Sequence, residues 1–433
     1  MRSASIISRR SRPALSAACC LVAVVLAAGC SGGGTTSSKS GKHSGSGAAK
    51  TSASHQAQIT ITPASGARNV RPSAGITVTA QRGKITSVSV KAAGETVTGK
   101  MNAAGTSWHS NWTLAVDTHY TVAATARGAD GTSVTKTSSF RTLTPASTFQ
   151  TQIFEGQNDT YGVGMPIMLT FSQPIVNKAA VERALQIQTS KPVVGAWYWD
   201  GNQTVDFRPR DYWPAGTTIS FTGHLNGVQG APGVYGAHTL TQSFKIGSSL
   251  IVVASTTTHH MELYRNGKPY RRWPISTGRP GDNTPNGTYL TIDKGNPVLM
   301  KGPGYAINVP WSVRFTWTGD YLHDAYWSVG EQGFTNVSHG CVNMPPAAAE
   351  AYYKMEVPGD PVTITGSPRK GTYDNGWTEW FLPWSQFVNG SALHKAVEAG
   401  PSGSTFVDPA SVPASNVTSP LGRPNSDNWQ ATG

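Results

Sequence analysis

The chain has 433 residues but only four cysteines, and only 13% of its residues carry charge. Cys19 and Cys20 lie in an apolar leader and Cys30 follows it, so Cys341 is the one thiol left for the folded part. A lone thiol excludes an intramolecular disulfide framework. Scarce charge beside 47 glycines and 28 prolines argues against helical bundles and favours β-rich domains with many turns. No Lys/Arg cluster is interleaved with aromatic residues, so the footprint of a nucleic-acid binder is missing. The apolar run from Ala14 to Ala28 falls short of the ~20 residues that span a bilayer.

The formal charge of +12 overstates the basicity of the folded part. Four arginines (Arg2, Arg9, Arg10, Arg12) belong to the leader. Three lysines (Lys39, Lys42, Lys50) lie in the stretch after it. Neither segment holds an acid, so residues 57–433 carry a net +5. A modest positive excess suits an anionic surface such as a bacterial wall or anionic lipid.

A basic region, an apolar run and then Leu26-Ala27-Ala28-Gly29-Cys30 read as an export signal over residues 1–29. Small residues before a cysteine resemble a bacterial lipobox. The resemblance implies cleavage before Cys30, lipidation of its sulfur, and anchorage to the outer face of the cell membrane. An ordinary secretory signal cut near Ala28 is the other reading. Residues 30–56, rich in Ser, Gly, Thr and Ala, have little to bury and read as a flexible tether of roughly 25–30 Å.

From residue 57 the pattern alternates. Ile59-Thr60-Ile61-Thr62, Ile76-Thr77-Val78-Thr79 and Tyr120-Thr121-Val122-Ala123 have period two, the mark of half-buried strands. Short strands at this spacing predict an immunoglobulin-like β-sandwich over 57–145, with Trp108 or Trp112 at its centre. A second such module is expected over 146–247. There, Asn177 is placed to cap a short helix, and Asp200-Gly201-Asn202 turns a hairpin. A third unit, 248–366, carries the Asn266-Gly267 hairpin signal and an Ala-rich helix near Pro346 to Met355. Asn286-Gly287 reads as a turn. Residues 367–396 hold Trp377, Trp380, Trp384 and Phe387, which need a surface to cover and are expected to pack back on the core. Residues 397–433 read as a disordered tail. The fold class is therefore mainly β: two immunoglobulin-like sandwiches, a β-rich third domain with short helices, and an aromatic C-terminal extension.

The chemistry concentrates at Ser338-His339-Gly340-Cys341-Val342-Asn343, with His323 placed 18 positions before Cys341. A thiol becomes a nucleophile when a neighbour takes its proton or favours its anion, and either histidine can serve. Gly340 lets the backbone turn so that amide N–H groups converge on a developing oxyanion. Zinc is the competing reading of His323, His339 and Cys341, but no fourth ligand is evident.

Ser-His-Gly-Cys-x-Asn with the upstream histidine resembles the catalytic signature of the L,D-transpeptidases (YkuD type). Ser276-Thr277-Gly278, Asn283 to Tyr289, Tyr321-Leu322-His323 and Trp327 to Gly330 resemble the segments around it. The domain order and aromatic extension resemble actinobacterial lipoprotein members with two immunoglobulin-like domains. That resemblance implies a cysteine-dependent aminoacyltransferase of cell wall biogenesis, acting on peptidoglycan stem tetrapeptides as donor and acceptor. It implies Cys341 as nucleophile and His323 as general base and acid, oriented by the main-chain carbonyl of residue 324. His339 would shape the site and tune the thiol. Backbone N–H groups of Gly340 and Cys341 would form the oxyanion hole. Tyr305, on a lid, and Trp327, Ser338 and Asn343 would contact substrate. The resemblance implies no metal or organic cofactor, and the protein is expected to be a monomer.

Three alternatives stay open at this point. Water as acceptor would give an L,D-carboxypeptidase. A protein amine would give a protein–wall ligase. A wall-binding scaffold would leave the thiol idle. Residue 324 is Asp where such relatives often have Ser, and its carboxylate could act on His323.

Overall fold

The computed structural model describes residues 56–94, 96–302 and 304–413. The leader, Cys30, nearly all of the tether and residues 414–433 lie outside the described residues. The described chain is mainly β, with few short helices.

In the first module the alternating stretches bury one face. Gln58–Thr62 turns Ile59 and Ile61 inward, and His119–Gly128 buries Tyr120, Val122, Ala124 and Ala126. One sheet orders Gln58–Thr62, Thr77–Gln81, Ser107–Ser110 and Gly99–Met101; the other orders Gly83–Ala92, His119–Gly128 and Ser133–Arg141. Trp108 sits in the core between them. Trp112 does not. It stacks on His224 of the second module, ring centroids 3.6 Å apart.

The second module is built on the hairpin Val193–Asp200 and Thr204–Pro209, turned at Gly201 with φ 63°. Trp197, Phe207, Trp213 and Phe221 are buried here. Each such side chain contributes about 1.5–3 kcal/mol of transfer free energy. Asn177 precedes the helix Lys178–Arg183, but its side chain makes no cap; its main-chain oxygen accepts from Ala180 and Val181 instead.

The expected disordered tail needs correction. Ala396–Gly400 pairs with Val193–Gly195, and Gly403–Val407 pairs with Ala396–Gly400, extending the second module's sheet. Val397 and Ala399 are buried by this pairing. Three small or short apolar residues, Ala396, Val397 and Ala399, gave too weak an alternation to read as a strand; the open edge at Val193 supplies the partner. The preceding extension covers the same module. Arg208 is buried with its guanidinium 4.5 Å from the Trp380 ring and 4.4 Å from Phe387, and it donates to Leu382 O at 2.8 Å.

In the third domain, one sheet orders Lys268–Pro274, His260–Arg265, Leu250–Ser255, Pro361–Thr365 and Gly287–Leu290. Asn266 and Gly267 take φ of 50° and 78°, as a type I′ hairpin requires. Asn286-Gly287 is not a free turn. Gly287 opens the strand Gly287–Leu290, and the Phe381 ring of the extension packs where a Cβ would stand. A second sheet orders Lys294–Gly295, Ser312–Arg314, Tyr321–Asp324 and Val342–Met344. The helix Pro346–Met355 buries Ala348, Ala349 and Tyr352 against this domain's core. A two-stranded flap, Val298–Gly302 and Tyr305–Val309, stands apart from both sheets.

Candidate active site

Parallel pairing of Tyr321–Asp324 with Val342–Met344 sets His323 opposite Asn343. Cys341 stands in the bend just before that second strand, two positions ahead of Asn343. All three line one cavity of about 440 Å³. Met300, Tyr305, Ile307 and Val309 of the flap close its other wall, and Trp327, Ser328 and Glu331 its side.

His323 is buried and its Nδ1 donates to Asp324 O at 2.8 Å. That bond fixes the ring and its tautomer, leaving Nε2 as the acceptor. The Trp327 ring lies over the imidazole, centroids 5.8 Å apart and tilted 28°. Burial pushes the imidazole pKa down to about 4, with the bond to Asp324 O opposing. The Asp324 carboxylate stays out of this arrangement. Its Oδ1 is buried without a hydrogen-bond partner, and burial raises its own pKa.

Cys341 is half-buried, and its Sγ donates to Gly319 O at 3.8 Å. Burial pushes the thiol up to about 12; the nearby Asp320 carboxylate adds to this, and the Tyr321 N–H opposes it. At pH 7 the thiol and the imidazole are therefore both neutral.

The loop before Cys341 is pinned at every step. Ser338 Oγ donates to Cys341 O at 2.6 Å and accepts from Gly340 N–H at 3.2 Å. Thr284 Oγ1 donates to Gly340 O at 2.6 Å and accepts from Gly278 N–H at 2.9 Å. Gly340 takes φ 129°, and a Cβ there would collide with Asp320 Oδ1. No other residue fits this position.

Residues 249–364 match the YkuD family, the L,D-transpeptidase catalytic domain, and residues 67–229 match the bacterial Ig domain family. L,D-transpeptidase 5 of Mycobacterium tuberculosis is 35% identical over 351 residues, 78% of this chain and 77% of the relative. L,D-transpeptidase 2 of the same organism is 31% identical over 348 residues, 77% of this chain and 85% of the relative. This chain belongs to the L,D-transpeptidase family. A solved L,D-transpeptidase in complex with imipenem is 33% identical and aligns with 49% of this chain and 97% of its own, with a TM-score of 0.43.

Within this transpeptidase site, the residues expected from sequence divide by position. Cys341, His323, Trp327, Tyr305, Ser338, His339 and Asn343 all line the cavity. Tyr305 stacks against His339, centroids 5.2 Å apart, which joins flap and cysteine loop. Gly340 corrects an expectation. Its N–H, placed by the peptide that joins it to His339, donates to Ser338 Oγ at 3.2 Å, so an oxyanion there would have to displace that bond. Asn343 holds structure: its Nδ2 donates to Ser328 Oγ at 2.9 Å, and its main chain pairs with Ser276 in both directions. The Asp320 carboxylate also acts on the thiol, a neighbour the sequence reading did not name.

Asp320, Thr284 and Asn336 were missed. Asn336 Oδ1 accepts from Thr277 N–H (3.0 Å) and Oγ1 (2.8 Å), and its Nδ2 donates to Thr256 O at 2.8 Å, tying the cysteine loop to the sheet. Thr284 could have been found inside the Asn283 to Tyr289 segment already singled out. Asp320 carries no motif; only the fold brings it to Gly340. Among the described residues, no three His, Cys, Asp or Glu side chains are placed to share a metal ion.

Proposed function

We propose that this transpeptidase forms 3→3 cross-links between peptidoglycan stem peptides through a thioester on Cys341. The observation that carries the reading is one cavity holding a half-buried thiol and an imidazole whose Nδ1 is tied to Asp324 O. Sγ leaves Gly319 O, passes its proton to His323 Nε2 and bonds the carbonyl carbon of the donor's third residue. The oxyanion forms beside the Cys341 N–H. The C–N bond breaks, and His323 returns the proton to the departing D-Ala amine. A side-chain amine of a second stem then attacks the thioester. Its surplus proton goes to His323 and on to sulfur as the C–S bond breaks. No step requires a redox partner or cofactor.

Two parts of this reading rest on sequence. Anchorage at the outer face of the membrane follows from the lipobox at Cys30. Loss of palmitate labelling in Cys30→Ala would support it, and retained labelling would reject it. Action as a monomer is the second, and sedimentation of the full chain would test it.

The deciding measurement is product mass spectrometry with disaccharide tetrapeptides. Wild type should release D-Ala and form 3→3 dimers, and Cys341→Ala should do neither. Release of D-Ala without dimers would make it an L,D-carboxypeptidase. A carbapenem, as a strained acyl donor, should add its mass to Cys341. Absence of both products and adduct from folded protein would return the chain to a wall-binding role.

A further inference from the structure

Among the described residues, Glu331 is the one acidic side chain lining the catalytic cavity, and no step of the mechanism above uses it. It is exposed, and among the described residues its carboxylate makes no hydrogen bond or ion pair. Its main chain, by contrast, is held firmly. Glu331 N–H donates to Ser328 O at 3.2 Å, and Glu331 O accepts from Phe334 N–H (3.0 Å) and Thr335 N–H (2.8 Å). Ser328 is tied in turn to Asn343 by its side chain, and its N–H donates to Ala325 O at 3.0 Å. Ala325 N–H donates to Met344 O at 3.0 Å. The turn that carries Glu331 is thus fixed to the strand Val342–Met344 that follows Cys341, and to Ala325, which follows the His323 strand. The face of Trp327, 45% exposed, lies on the same cavity wall.

A carboxylate and an open indole face on one wall suit a cation. The two substrates differ in this respect. The donor reacts at a neutral amide, whereas the acceptor arrives as an ammonium and must bind before it loses its proton. We infer that Glu331 is a specificity residue that binds the cationic side-chain ammonium of the acceptor stem on the Trp327 wall, leaving the flap wall at Tyr305 to the donor. This rests on the thioester reading above. Glu331 selects among acceptors and takes no proton: the bound ammonium first loses one proton to bulk water, and the surplus proton of the attacking amine then goes to His323 and on to sulfur. Because the carboxylate is exposed, its attraction is screened by salt.

The test compares two acceptors on the full chain with one donor tetrapeptide. One acceptor is a stem peptide with a cationic side-chain amine; the other is hydroxylamine, largely uncharged near neutral pH, which traps the thioester as a hydroxamate. Glu331→Gln should raise the KM for the stem acceptor about tenfold, with a smaller change in kcat. Glu331→Lys should raise it further. The ratio of cross-link to hydroxamate should fall by a similar factor, and added salt should raise the stem KM in wild type more than in Glu331→Gln. A stem KM within about twofold of wild type in both variants would overturn the inference, as would a hydroxamate yield that falls in step with cross-links. No hydroxamate from wild type would sink the thioester reading, and this inference with it. Hydroxamate with an unmoved KM would sink this inference alone.

Discussion

His323 gives its Nδ1 proton to the main-chain oxygen of Asp324 at 2.8 Å, while the carboxylate of the same Asp324 takes no part. The orienting group is backbone, and so indifferent to the side chain at 324. Aspartate is tolerated where a serine would serve, because strand pairing of Asp324 with Met344 places the carbonyl.

Asp324→Asn should therefore keep kcat/KM within about threefold, whereas His323→Gln should lose about 10²–10⁴-fold. Steady-state D-Ala release checks both. A large loss in Asp324→Asn would show that the carboxylate acts on the imidazole.

Gly340→Ala puts a methyl group against Asp320 Oδ1 at a backbone φ of 129°. The strain costs about 1–3 kcal/mol, and relief requires the cysteine loop to shift. Turnover should fall at least about 100-fold, since an error near 1 Å at the nucleophile has that effect. Circular dichroism should still report a folded protein.

The resting site holds a thiol and an imidazole, not an ion pair, because burial drives Cys341 up to about 12 and His323 down to about 4. Alkylation by iodoacetamide consumes thiolate. It should be slow at pH 7 and rise about tenfold per pH unit toward pH 10. The acid limb of kcat/KM should fall near the imidazole value, well below the ordinary histidine range. A flat alkylation rate from pH 6 to pH 9 would mean a preformed thiolate.

Three buried carboxyls, Glu155, Asp206 and Glu379, lie where the second module meets the aromatic extension. Burial raises all three, Glu155 to about 8 and Glu379 to about 7, while the Arg208 guanidinium beside Glu379 opposes its shift. Between the ordinary carboxyl range and these values the folded state binds more protons than the unfolded one. Stability is then greatest in mild acid and falls as pH rises through the folded values. The Tm should drop by about 5 °C from pH 5 to pH 8, and Glu379→Gln should flatten the slope. A Tm that climbs over this range would contradict the burial argument.

Much was legible in the chain because it is local. Period-two runs such as Ile59-Thr60-Ile61 bury one face wherever they pair, so strands were readable before their partners were known. Asn266-Gly267 demands a tight turn by its own φ values. Ser-His-Gly-Cys with its spaced histidine marks the candidate reacting groups because such chemistry needs those residue types.

The strand Ala396–Gly400 was not legible, since its short apolar residues mean nothing without the open edge at Val193. Asn286-Gly287 misled, since a turn signal became a strand once the Phe381 ring from the distant extension needed room.

By itself the sequence determined the β-rich class and carried the transpeptidase signature at His323 and Cys341, because backbone propensity and functional-group chemistry travel with the residue. Only the tertiary structure decided which charge faces the thiol, where the Gly340 N–H points, and that Asp324 acts through its carbonyl. It also set Glu331 on the cavity wall. Burial, field and distance belong to neighbours in space, and no local pattern in the chain specifies them.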